Sequence, residues 1–267
     1  MTNNRSVLLP LVLLLACVPC FGQVIVGKFT SSKPEIPMPW QLIRLENHVP
    51  VTTYRVALWD GVDAVEARAE RSMALLGRPV EVDLSSAPIL CWRWRVDSVV
   101  RSADMTRRRG DDYAARIYLA FDLPSSSLSL ADKASLSLAR TFYGHRVPDG
   151  AINYVWDNRH PVGTHMPNAY TDRVKMIVQR SGNDEAGMWV TERVNIYQDV
   201  KRSFGTSDAH LKLIAVASDS DNTGETVRAG FADLHFVRAT DACQFDSLKP
   251  SVTLDQMNSP LRLERYL

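Results

Sequence analysis

The sequence has no charge imbalance. It sets 31 Lys and Arg against 30 Asp and Glu over 267 residues, a formal net charge of +1. No basic face follows from that balance, which removes the electrostatic case for nucleic acid. The one dense cationic run, Arg107-Arg108-Arg109, is followed by Asp111-Asp112 and reads as a solvated loop with its own counterions. Catalytic signatures are also missing. The six histidines form no H-E-x-x-H pair, no G-x-S-x-G elbow occurs, no cysteine has a nucleophile's setting, and no Gly-rich phosphate loop is present. His160 and His165 flank a Pro-Gly stretch and read as loop residues. Glycoside hydrolysis needs two acids facing one groove. Asp111, Asp112, Asp157 and Asp199 are available, but the central strands carry Arg where such acids would sit, so the balance leans away from an enzyme.

Long apolar runs are absent beyond the first residues. Arg5 precedes Val7 to Val18 (VLLPLVLLLACV), and Pro19, Cys20, Phe21 and Gly22 follow. That run is shorter than the roughly 20 residues a membrane-spanning helix requires. A charged start, a short apolar core and small residues after it form the pattern of a secretory signal. Residues 1–22 are therefore expected to be a signal peptide, with residues 23–267 forming one domain, core about 29–240 and tail 241–267. A second reading places a lipid on Cys17, because Leu14-Leu15-Ala16-Cys17 resembles a lipoprotein signal. The expected location is periplasmic or secreted, or membrane-tethered if Cys17 is lipidated. No transmembrane segment is expected in the mature chain. Of four cysteines, only Cys91 and Cys243 survive cleavage after Gly22. In an oxidising compartment they can pair, or both stay free with Cys91 buried.

Short segments of period two fill the rest of the chain. Residues 52–59 (TTYRVALW) end at Asp60-Gly61, a hairpin turn signal. In the stretch after it, Val65, Ala67 and Ala69 alternate with Glu66, Arg68 and Glu70. That favours a strand over the helix its composition also permits. Residues 88–96 (PILCWRWRV) set Leu90, Trp92, Trp94 and Val96 on one face and Cys91, Arg93 and Arg95 on the other. Further strands are expected over 113–122, 152–156, 173–179, 189–194, 211–217 and 231–237. Helical turns are expected near 130–140 and 196–204. Strands without alternating helices argue for an all-β antiparallel sandwich with one or two short helices. Jelly-roll, galactose-binding and concanavalin-like arrangements all fit.

The strings ILCWRWRV, DDYAARIYLAFD, NYVWDN, DRVKMIVQRSG, VNIYQDVKRSFG and SDSDNTGE occur in this order. As a set they resemble the bacterial family called domain of unknown function 3047, from about Phe29 to Val237. The resemblance implies a single exported domain and no particular activity. The ending SDSDNTGETVRAGFADLHFV is similar in style to jelly-roll lectins and carbohydrate-binding modules, a likeness of fold only.

Three groups of residues could carry a function. Arg93, Arg95 and Arg116 are strand arginines. They would project into a groove and hold hydroxyls or carboxylates in bidentate fashion, or be paired structurally with groups such as Asp111 or Asp112. Tyr154, Trp156 and Asn158, beside Asp157, offer ring stacking plus hydrogen bonds for a sugar, or are an ordinary strand end. Asp219, Asp221 and Asn222 place oxygens at alternate positions before Gly224, which suits Ca²⁺ as well as a polar turn. The leading expectation is a binding module for a saccharide or another polar ligand of the cell envelope. A polysaccharide hydrolase on a jelly roll and a structural envelope protein are the alternatives.

Overall fold

A computed structural model describes residues 23–143 and 147–249. Residues 1–22, including Cys17, and the end of the expected tail, 250–267, lie outside the described residues.

Two sheets form the sandwich. One contains β1 (Val24–Gly27), β3 (Thr53–Trp59), β4 (Val62–Glu70), β6 (Ile89–Val96), β11 (Val190–Asn195) and β13 (Thr226–Val237). Its order is β11-β6-β13-β4-β3, with β1 paired to β13. The second contains β2 (Gln41–Ile43), β5 (Leu75–Pro79), β7 (Ala115–Asp122), β8 (Gly150–Asp157), β9 (His165–Pro167), β10 (Val174–Ser181) and β12 (His210–Ala217). Its order is β2-β5-β12-β7-β8-β10-β9. Helices α1 (Leu130–Tyr143) and α2 (Ile196–Phe204) lie in the connections. The β-sandwich read from the sequence is the observed fold, with one correction to its antiparallel pattern. β10 runs parallel to β8, because residues 158–173 cross over and carry β9 back along the far side of β10.

Local chemistry accounts for the elements. Asp60 and Gly61 both take positive φ, 46° and 79°, so a two-residue turn closes β3 on β4 with Trp59 opposite Val62. The segment after that turn is a strand, as its alternation predicts. α2 starts where the Asn195 side chain accepts from Gln198 N and stops at Gly205 with φ 68°. In β13 a bulge between Ala232 and His235 shifts the phase. Val227, Ala229 and Phe231 before it and Leu234 and Phe236 after it all reach the core. Asp233, at the bulge, has φ 53°.

Aromatic rings fill the space between the sheets. Trp92 and Trp94 from β6 meet edge to face at 5.4 Å between centroids. Trp92 packs on Tyr154 at 5.8 Å and Trp94 on Trp156 at 5.7 Å, so β6 and β8 are joined through ring contacts. Three of the four polar tips are bonded, and the Trp92 indole N–H is buried without a partner. Trp94 Nε1 donates to Glu192 at 2.9 Å, Trp156 Nε1 to Gly182 O at 3.0 Å, and Tyr154 Oη to Asp199 at 2.7 Å. Glu192 also receives Arg180 Nε at 2.6 Å, linking β10 of one sheet to β11 of the other.

Cys91 and Cys243 form a disulfide, Cα–Cα 5.8 Å. It fastens the segment after β13 to β6, and His235 supports the join. The His235 Nδ1–H donates to Asp233 O, and its Nε2 accepts from Gln244 N at 3.1 Å. The bond spans 152 residues, and in the chain-entropy account a loop of that size stabilises by about 5 kcal/mol. Reduction should therefore add the mass of two hydrogens to the intact protein and lower its denaturation midpoint markedly. Replacing Cys91 and Cys243 together with Ala should reproduce the lower midpoint. An unchanged mass on reduction would refute the bridge.

Candidate binding pocket

Alternation along the strands decides which residues leave the core. Ile117, Leu119 and Phe121 of β7 and Ile152, Tyr154 and Trp156 of β8 point between the sheets. Arg116, Tyr118 and Asn153 therefore lie on the outer face of the seven-stranded sheet. Asn153 sits opposite Tyr118 in the β7–β8 ladder. Loops from both ends of the sequence close over this patch. The resulting cavity, about 260 Å³, is lined by Glu46, Asp111, Arg116, Tyr118, Asn153, Asn168, Tyr170, Asp219 and Asp221, among others.

Arg116 organises the site. It is 5% exposed. Its Nε donates to Asp219 Oδ1 at 2.8 Å, its Nη2 reaches Asp219 Oδ2, and Nη2 also donates to Asp111 O at 3.1 Å. The guanidinium lies 4.6 Å from the centre of the Tyr113 ring. Asp219 is 1% exposed, so the pair is a desolvated, bidentate one. Burial opposes the Arg116 charge, but the surrounding carboxylates outweigh it and hold the guanidinium firmly protonated.

The acids around the pair carry no second cation. Asn168 Nδ2 donates to both oxygens of Asp111, at 3.0 and 2.9 Å. Asp112 accepts from Thr223 N at 2.6 Å and Asn222 Nδ2 at 3.2 Å. Asp112, Asp219 and Asp221 bring carboxylate oxygens within 4.8 Å of one another. Burial raises the Asp111 pKa and, with help from the Asp112 charge, that of Asp221. Burial also raises the Tyr170 hydroxyl, and Asp111, Asp221 and Glu46 add to that shift.

The sequence-derived residues divide sharply in this structure. Arg93 and Arg95 do not share a groove with Arg116, because β6 belongs to the other sheet and turns them to that sheet's outer face. Arg93 pairs with Asp233. Arg95 pairs with Asp60 and stacks 4.6 Å from the Trp59 ring. Tyr154 and Trp156 are 0% and 1% exposed and belong to the core. Asn158 uses its Nδ2 to hold the neighbouring loop, at 2.9 Å from both Arg101 O and Ala103 O. Of the calcium set, Asp219, Asp221 and Asn222 all line the pocket, and Asp112 joins the two aspartates. Asn222 turns its oxygen to the Tyr170 hydroxyl at 3.1 Å and its amide to Asp112. The positive charge within this cluster comes from Arg116. Asp111 and Asp112 are not counterions of Arg107 to Arg109. Arg107 pairs with Asp104 at 3.3 Å, and Arg108 lies 5.3 Å from the Tyr170 ring centre. Sequence reasoning missed Asn153, Asn168 and Tyr170 as lining residues, and named Asp111 only as an available acid or an arginine's partner. Asn153 carried a usable signal, since a polar residue between Ile152 and Tyr154 must face away from them.

A larger crevice of about 580 Å³ lies between residues 81–85 and 207–212. Its polar side chains are exposed, and Asp83 is spent capping Ser85 at 2.9 Å. It holds no buried polar constellation.

The model for the family described as protein of unknown function (DUF3047) matches residues 38–235. The chain belongs to this family. No curated protein matches it at the sequence level. Among solved structures this DUF3047 protein is similar to the family 11 carbohydrate-binding module of cellulosomal cellulase Lic26A-Cel5E of Clostridium thermocellum. That match has a TM-score of 0.41 and 10% identity over 84% of this chain and 98% of the module. It is also similar to the xyloglucanase domain of NopAA, a type three effector from Sinorhizobium fredii, at TM-score 0.37 and 8% identity over 76% of this chain and 100% of that one. Similarity this distant lends nothing to the reading of the DUF3047 pocket, which stands on its own geometry.

Two measurements test the electrostatics. Arg116→Ala leaves Asp219 buried without its partner and should cost about 3–5 kcal/mol. The double change Arg116→Met with Asp219→Leu should recover most of that loss in chemical denaturation. The raised Asp221 pKa means the folded state holds that proton more tightly than the unfolded chain does. The acid therefore destabilises once pH rises through its folded pKa, and the effect fades as pH falls below it. Asp221→Asn should accordingly raise the melting temperature at neutral pH, by the equivalent of about 1 kcal/mol or less. The advantage should shrink on acidification. A gain independent of pH would contradict this origin.

Proposed function

We propose that this protein is an exported binding protein whose pocket on the outer face of the seven-stranded sheet takes a saccharide or similarly polar ligand. The observation that carries the reading is Asn153. It is 2% exposed, it lines the cavity, and its Oδ1 has no hydrogen-bond partner in the protein. An unmet buried acceptor costs about 1–3 kcal/mol, and such a cost is retained where a ligand group can meet it. Tyr118 and Tyr170 add ring surface beside it, and Asp221 Oδ1 is a second unmet acceptor.

Export is supported by the Cys91–Cys243 bond, since disulfides persist in oxidising compartments, and by the signal pattern of residues 1–22. A periplasmic or secreted location follows from that reading, with tethering through Cys17 as its variant.

A hydrolase is the second reading. It is favoured by the Asp219 and Asp221 carboxylates, whose oxygens lie within 4.8 Å of each other, since glycoside hydrolysis uses two neighbouring acids. Against it, both Asp219 oxygens are engaged by Arg116, so of the two carboxylates only Asp221 keeps an unmet oxygen. Binding is tested on a glycan array with the purified protein, followed by calorimetry on the hits. Asn153→Leu removes the unmet acceptor and should abolish the hits while leaving the fold stable. Loss of folding together with binding, or hits untouched by the change, would count against this pocket. Release of reducing ends from a bound polysaccharide would favour the hydrolase.

A further inference from the structure

The pocket's own hydrogen-bond inventory narrows the ligand. Among its buried side-chain atoms, those without a partner are both acceptors, Asn153 Oδ1 and Asp221 Oδ1. Many of its donors are already engaged. Asn153 Nδ2 points to Met176 Sδ at 3.7 Å, Asn168 Nδ2 to Asp111, and Arg116 Nε and Nη2 to Asp219 and Asp111. A neutral sugar hydroxyl donates and accepts, so it prefers a site offering both. An ammonium offers three donors and no acceptor, the complement of this inventory.

Charge selects in the same direction. Four acids line the cavity, Glu46, Asp111, Asp219 and Asp221, against the single base Arg116. Arg116 is committed to Asp219, and the side-chain donors that meet Asp111 are neutral, so the remaining field is negative. The Tyr118 ring adds a face that attracts a cation, while the Tyr170 ring already carries the Arg108 guanidinium at 5.3 Å. A bare divalent ion fits less well, because Arg116 already occupies the heart of the carboxylate cluster and the cavity, at about 260 Å³, is far larger than an ion.

We infer that the ligand of this pocket is an amino sugar, alone or within an oligosaccharide, whose free ammonium group is held between Asp221 and the Asn153 amide oxygen. This inference rests on the saccharide-binding reading above and adds the sign of the ligand's charge.

The test is calorimetry on the purified protein with three probes: oligomers of β-1,4-linked glucosamine, the same oligomers N-acetylated, and neutral β-1,4-glucose oligomers. All are measured at a pH where the amine is protonated. The free amine should bind at least about tenfold more tightly than its acetylated form, and the preference should fall as salt rises. Asp221→Asn should remove that preference, and Asp221→Glu should retain part of it. Near-UV circular dichroism would confirm that both variants stay folded. Equal or tighter binding of the acetylated or neutral oligomers would overturn the charge assignment and leave saccharide binding standing. Binding of the amine that depends on added Ca²⁺ and disappears with chelator would overturn direct recognition. No binding by any of the three, together with an empty glycan array, would overturn the underlying reading itself.

Discussion

The buried Arg116–Asp219 pair is the constraint on which the pocket depends. One guanidinium reaches the end of β12 through Asp219 and the loop before β7 through the Asp111 carbonyl. The 111–116 stretch and Asp219, 103 residues on from Arg116, are thereby held at one point. Such a pair is weak support for stability, because desolvating both ions offsets much of their attraction. Its value here is positional. It fixes the loop that carries Asp111 and Asp112, and Asp112 in turn gathers the backbone of the 219–225 turn through Asn222 and Thr223.

Beneath the pocket, the aromatic contacts between β6 and β8 give the sheet a stiff base. Trp94, Trp156 and Tyr154 are buried yet each has its polar tip bonded, and of this aromatic group only the Trp92 indole N–H lacks a partner. The contrast with Asn153 is informative. Between Ile152 and Tyr154, both in the core, the chain places an amide whose oxygen is unmet. Unlike the unmet Trp92 indole inside the core, this unmet amide belongs to a residue that lines a cavity.

Much of the fold was legible in the sequence because period-two alternation is a local property. The Asp60-Gly61 hairpin, the two faces of β6 and the strand after the turn were all written in neighbouring residues. The parallel β8–β10 pair was not, since strand direction depends on where the 158–173 crossover travels. The site was legible only in part. Arg116 and the 219–222 turn stood out as charge in unusual places, but nothing local says which sheet a strand joins. Arg93 and Arg95 therefore looked equivalent to Arg116 and are not. Tyr154 and Trp156 had the composition of a sugar platform and became core, because an aromatic on a strand reads the same from either face.

That crossover has a consequence for how the family can diversify. Asn168 and Tyr170 sit on it, while its ends are anchored in β8 and β10, which hydrogen-bond directly to each other. The segment can change in length or content without disturbing the ladder that supports it, so part of the pocket's lining behaves as an exchangeable cassette. Relatives that keep Arg116 and Asp219 but differ between β8 and β10 would then share one scaffold and diverge in what they recognise.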